Sequence, residues 1–323
     1  MLFAGYETVV KADVAALPFD IVGLPPWDNP RRDLLAPFGF LFAGLRAATL
    51  KGDQRVMRET AVVLGGMKDF RGPEGLGSVN SRNCYVLVMK PGFDLARVLE
   101  KPPLEWWEGA AVWRWTAALN EYGELDDRAS AIVAVQMPPY LLVSNDPETV
   151  FTNARWLRGG ATDTLRSLTE WRETAPHEFW MYRRIRFDTP DLMAAGLDFV
   201  RRDVESMLVF YDRDRPTATL RVVSRVEHHR APATFIDDER VPPLSPISPR
   251  AWEGQLPLTV GTAEAETWFI VCGVFGFATR GHTSRPRAHG FDVRGRTHAH
   301  VGRLSSAALC TCSKRCVRLF YSG

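Results

Sequence analysis

Apolar positions along the chain follow two spacings, one helical and one extended. Phe38, Leu41, Phe42 and Leu45 recur at i, i+3, i+4 and i+7 behind Pro37, a residue suited to a first helical turn. This predicts an amphipathic helix that Gly52 is placed to end. Asp146-Pro147-Glu148 is a second start signal: a capping acid, a proline where no donor is needed, and a carboxylate facing the positive helix end. Val150, Phe151, Ala154 and Leu157 form its apolar stripe, and Gly159-Gly160 stops it. A further helix is expected over residues 162–176, up to Pro176.

Extended segments are read from β-branched and aromatic runs bounded by turn residues: 7–13, 60–64, 84–89, 111–115, 131–136, 140–144, 178–187, 207–211 and 217–226. The joins between them are mostly short. Residues 212–216 suit a hairpin turn and Pro138-Pro139 a tight corner, and short joins impose antiparallel pairing. The expected fold class is therefore α+β, with largely antiparallel sheets and packed helices. Strand and helix groups before and after residue 147 predict two related halves, 1–146 and 147–279. Six prolines in residues 231–257 predict an extended surface crossing within the second half. The apolar run 268–278 is expected to be a last core strand.

Composition changes this picture in one place. The apolar share of 46% and the charged share of 24% are those of an ordinary globular chain. The net charge of +2, however, divides unevenly: residues 280–323 carry nine Lys and Arg against the single acid Asp292, so the tail stands at +8 and residues 1–279 at −6. No apolar run reaches the length of a membrane span. The start, MLFAGYETVVKADV, lacks a secretory pattern, and five cysteines are an odd number in a long chain. The expectation is a cytoplasmic protein as written, or an exported one if the true N-terminus lies upstream.

The stretches VVLGGMKDF (62–70), CYVLVMKPGFDL (84–95) and YLLVSNDPETV (140–150) carry a resemblance to uncharacterised bacterial α+β proteins that are often exported. The resemblance covers most of residues 1–279 and implies the fold class, but no activity and no catalytic residue. The basic tail departs from it.

Candidate chemistry was weighed against the plainer role of each residue. In GGMKDFRGPEGLG (65–77), Gly77 is followed by Ser-Val-Asn where a phosphate loop wants Lys and Ser or Thr, so the segment reads as a hairpin loop. In WWEGAAVWRW (106–115), Trp113 and Trp115 share a strand face and form a candidate ligand platform for a sugar ring or an unpaired base, with Glu105 and Glu108 nearby. The plainer reading is core packing. In 178–187, alternation places Trp180, Tyr182, Arg184 and Arg186 together, while Arg221 and Arg225 share a face elsewhere. The acidic body argues against nucleic acid, and cross-strand ion pairing is expected instead. Cys84 and Cys272 lie in apolar runs as small buried hydrophobes, and His177, His228 and His229 have no identifiable nucleophile beside them. No hydrolase elbow, zinc-protease helix or calcium loop occurs.

The tail holds His298, His300, Cys310, Cys312 and Cys316, an adequate ligand inventory for zinc. The spacing Cys-x-Cys-x3-Cys lacks paired Cys-x2-Cys knuckles. The tail's mixture of Arg, His, Ser, Thr, Gly, Ala and Cys is what a GC-rich gene yields out of frame. A disordered or aberrant tail is the first expectation, with a zinc site and a basic interaction tail as alternatives. The functional expectation is a non-enzymatic binding or assembly module of unspecified partner, with no membrane span and no resident cofactor. The alternative is a hydrolase acting on carbohydrate through Trp113, Trp115 and a nearby glutamate.

Overall fold

The computed structural model describes residues 3, 6–17, 34, 37–71, 79–119, 125–159, 177–185, 203–227 and 243–258. Along the chain these form β1 (Thr8–Asp13), a 3-10 turn (Val14–Ala16), α1 (Gly39–Ala48), α2 (Gly52–Arg58), β2 (Thr60–Arg71) and β3 (Val79–Met89). Then come α3 (Leu95–Leu99), β4 (Glu105–Trp107), β5 (Ala110–Leu119), β6 (Leu125–Met137), β7 (Tyr140–Ser144) and α4 (Pro147–Arg158). The last elements are β8 (Phe179–Arg184), β9 (Val204–Tyr211), β10 (Thr217–Ser224), β11 (Ser245–Ser248) and β12 (Ala251–Pro257).

The twelve strands among the described residues join one sheet in the order β11-β12-β10-β9-β8-β1-β2-β3-β7-β6-β5-β4. Every pairing is antiparallel. The fold class is α+β. From β3 the chain passes through α3 to the far edge at β4, then meanders inward through β5 and β6 so that β7 lies against β3. This path leaves β4 as a terminal strand. Residue 147 begins α4, and strands from both sides of it lie in the same sheet.

Side-chain alternation sends the apolar residues of the central strands to two cores. On one face Val10, Val63, Tyr85, Leu87, Ile132, Leu141 and Val143 meet Leu41 and Leu45 of α1, Val56 and Met57 of α2 and Leu95 of α3. On the other face Val9, Cys84, Val86, Val133, Val135 and Leu142 meet Val150, Ala154 and Leu157 of α4. Burial on both faces explains why the central strands read as continuous apolar runs (CYVLVM, YLLV, AIVAV) and not as alternating ones.

Three local expectations are modified. Gly52 does not end α1; Lys51 makes the break at φ +57 and Gly52 opens α2. A Cβ at residue 52 would stand 2.2 Å from the Leu45 carbonyl oxygen, so the close approach of the two helices excludes a side chain there. Residues 65–71 of the expected hairpin loop belong to β2, because Gly65 and Gly66 admit aromatic rings across the strand. The Pro-rich crossing contains the sheet's other edge, β11 and β12: Pro246 sits on a terminal strand and Pro257 at a strand end, where a missing N–H is tolerated. Residues 162–176, 268–278 and 280–323, with Cys272, His228 and His229, lie outside the described residues.

Candidate functional site

The sheet edge at β4 is built by six residues, Trp106 to Ala111. Trp107 and Ala110 pair across a two-residue loop whose members, Glu108 and Gly109, have φ +48 and +81. Two positive φ values are the requirement of the tight hairpin turn that matches strand twist, and glycine meets it without strain. Glu108 is held in that conformation through its carboxylate, which accepts from Arg158 Nη1 at 2.8 Å and Arg155 Nε at 3.3 Å, both on α4.

Neighbouring residues of β4 face opposite ways. Trp107 turns toward α4: its ring centroid is 4.8 Å from that of Phe151, and the Arg158 and Arg155 guanidiniums stand 5.0 and 5.4 Å from its own. Arg114 of β5 donates twice to Glu105 Oε1, at 2.7 and 3.1 Å, and lies 5.9 Å from the Phe151 ring. Trp106 turns to the other face, opposite Ala111, and is 70% exposed. Leu104, two residues earlier, is 69% exposed, and its N–H donates to the Val112 carbonyl at 2.8 Å. An exposed tryptophan beside an exposed leucine on the last strand of the sheet is an apolar surface that no element among the described residues covers.

The predicted platform residues are placed differently. Trp113 belongs to the core beneath α1, 5% exposed, and its Nε1 donates to the Lys101 carbonyl at 3.2 Å. Trp115 packs against the same core, and its Nε1 donates to the Gly44 carbonyl at 2.8 Å. Glu105 and Glu108 are each committed to arginines. In WWEGAAVWRW the exposed indole is Trp106, outside the expected pair Trp113 and Trp115. The signal for the exposed Trp106 was the Glu-Gly dipeptide between Trp-Trp and Ala-Ala, a two-residue hairpin loop that makes Trp106 part of an edge strand.

A second polar group lies inside the sheet at the start of α4. Ser144 Oγ donates to the Asn83 carbonyl at 2.7 Å and accepts from the Asp146 N–H at 2.9 Å. The Asp146 carboxylate takes the Thr149 hydroxyl at 2.7 Å and Arg82 at 3.2 Å, so the predicted capping acid bonds side chains and not a helix N–H. Asn153 accepts from the Phe3 N–H and donates to Cys84 Sγ at 3.3 Å. Burial pushes the Cys84 thiol up to about 12, despite its bonds to Asn153 and Ser144, which removes the thiolate from neutral chemistry.

A third group joins β8 to β9. His177 Nδ1 lies 2.8 Å from Asp212 Oδ2, its ring stacks on Phe210 at 4.4 Å, and Asp212 Oδ1 accepts the Glu178 N–H at 3.1 Å. Burial alone would raise the Asp212 carboxyl; the His177 bond, the Glu178 N–H and the nearby His177 and Arg215 charges outweigh it and hold the group below its ordinary value. No nucleophile is bonded to this pair by any contact seen among the described residues.

Arg221 and Glu253 meet across β10 and β12 at 2.6 Å, the cross-strand ion pairing that the arginine-rich strands led us to expect. Among the described residues no group of three His, Cys, Asp or Glu could hold a metal ion, and His298, His300, Cys310, Cys312 and Cys316 lie outside them. No helix among the described residues is long and apolar enough to cross a membrane.

No family model and no curated protein matches the chain. Among solved structures, crystal form I of TP0453 is a distant neighbour at 7% identity and a TM-score of 0.44, covering 84% of this chain and 94% of that one. Crystal form III of TP0453 aligns at 9% identity and a TM-score of 0.39, over 79% and 91% of the two chains.

Proposed function

We propose that this chain is a non-enzymatic binding or assembly module whose contact surface is the β4 end of the sheet. The observation that carries the reading is the exposure of Trp106 beside Leu104 on a terminal strand. Tryptophan and arginine are the residues that most often dominate binding energy, and Arg114, Arg155 and Arg158 stand within the same hairpin and helix. The other polar groups serve the fold: the Cys84 cluster fastens α4 to the sheet, and the His177–Asp212 pair fastens β8 to β9.

The test is a selection. A random-peptide display library is panned on the full chain, with the Trp106→Ala chain as counter-selection. Enriched peptides that bind the parent and not the variant are the expected result. Failure to enrich any peptide, or enrichment indifferent to Trp106, overturns the reading.

A further inference from the structure

We infer that the β4 edge receives an extended segment of a partner protein as an added antiparallel or parallel strand, and that this segment alternates apolar and acidic residues. The inference rests on the binding reading above and gives it a mode and a chemistry.

Three features of the edge carry it. β4 is hydrogen-bonded to β5 on one side and is the last strand of the sheet among the described residues; Trp107 and Glu105 turn their backbone groups to β5, so the Trp106 N–H and carbonyl face outward. Strand addition uses such groups for affinity and side-chain alternation for selectivity. The high exposure of Leu104 and Trp106 leaves this approach open on one face of the sheet.

The two faces beside the edge differ in chemistry. On the side of α1 and α3 the edge presents Trp106 with Leu104, an apolar strip. On the side of α4 it presents Arg114, Arg155 and Arg158 around Trp107, three guanidiniums against the two carboxylates Glu105 and Glu108. Each guanidinium has five N–H donors. Glu105 takes two from Arg114, and Glu108 takes one each from Arg155 and Arg158. Arg155 keeps 64% of its side chain exposed, so donors remain for incoming carboxylates. A strand laid beside β4 sends alternate side chains to these two faces. Apolar residues then meet Trp106 and Leu104, and acidic residues meet the arginines. A basic strand would set like charges against three cations.

The experiment uses the full chain and three synthetic eight-residue peptides, with binding read by fluorescence anisotropy. One alternates valine and aspartate; one alternates valine and lysine; the third repeats the first with N-methyl groups on alternate residues, which keeps the side chains and removes backbone donors. The valine-aspartate peptide is expected to bind, and Trp106→Ala, checked by an unchanged melting curve to be folded, is expected to weaken it about 30-fold. Arg114→Gln with Arg155→Gln should weaken it further and flatten its salt dependence. The lysine and N-methyl peptides should bind at least about tenfold more weakly. Equal binding of all three peptides overturns strand addition. So does a Trp106-dependent dimer in sedimentation equilibrium, which would make a second copy the occupant. If display-selected peptides depend on Trp106 yet tolerate N-methylation, strand addition falls and the binding reading stands; if nothing binds in either experiment, both fall.

Discussion

Tyr85 lies flat across Gly65 of the adjacent strand, so close that a Cβ at residue 65 would stand 2.8 Å from two carbons of the ring. The same Cβ would meet Val10 Cγ1 at 2.9 Å, and the Tyr85 hydroxyl is anchored by donation to the Pro37 carbonyl at 2.9 Å. The ring is further held by Phe38 and Phe40, whose centroids each lie 6.4 Å from its own. Gly65→Ala should lower the urea midpoint by an amount worth about 1–3 kcal/mol, the ordinary cost of overpacking a core. An unchanged midpoint would show that β2 can shift away from Tyr85.

The tryptophans of WWEGAAVWRW should separate by role. Trp113→Ala removes a buried indole and should cost about 3–5 kcal/mol in chemical unfolding. Trp106→Ala removes an exposed one and should stay within about 0.5 kcal/mol of the parent. Equal losses would contradict the placement of one inside and the other outside.

Asp212 links stability to acid. Its carboxyl titrates lower when folded than when unfolded, so its contribution is fully present above the unfolded value of about 3.9 and is lost as pH falls toward the folded value. Below about pH 3.9 the parent should therefore lose stability more steeply than Asp212→Asn. Urea titrations of both chains at a series of acidic pH values check this, and parallel losses would remove Asp212 from the account.

Arg221 and Glu253 face one another in register on β10 and β12, both partly buried. A double-mutant cycle to alanine should return a favourable coupling of about 0.2–1 kcal/mol, reduced by salt. Zero coupling at low salt would make the pair a geometric coincidence.

Cys84 should be silent toward thiol reagents in the folded chain. Its thiol is pushed up to about 12 by complete burial, and the thiolate is the reactive form. Iodoacetamide at pH 8 followed by peptide mapping should leave Cys84 unmodified until denaturant is added. Modification under native conditions would mean that α4 opens readily from the sheet.

Much of this was readable in the sequence because it depends on neighbours in the chain. Asp146-Pro147 and Gly159 bound α4, Phe38 to Leu45 gave the buried stripe of α1, and residues 212–216 and Pro138-Pro139 turn where their composition requires. Short joins between β-branched runs were enough for an antiparallel α+β fold, since only antiparallel strands can be joined tightly. Of the three unanticipated strands, β4 and β11 are short and lie at the sheet's two ends among the described residues, where one missing neighbour weakens the apolar pattern that marks a strand, and β12, paired on both sides, is interrupted by Gly254 and ends at Pro257.

What the chain order could not decide is which residues meet across long separations. Gly65 beneath Tyr85, Asn153 against Cys84 and Asp212 beside His177 are contacts between strands or helices brought together by the sheet. The burial of the tryptophans is decided the same way: Trp106, Trp113 and Trp115 share a face, and local pattern cannot say which part of that face α1 covers. Local sequence determines element type, because periodicity and turn chemistry act within a few residues. Exposure at Trp106 and burial at Trp113 follow from strand order and from where α1 lands, and only the tertiary structure fixes those.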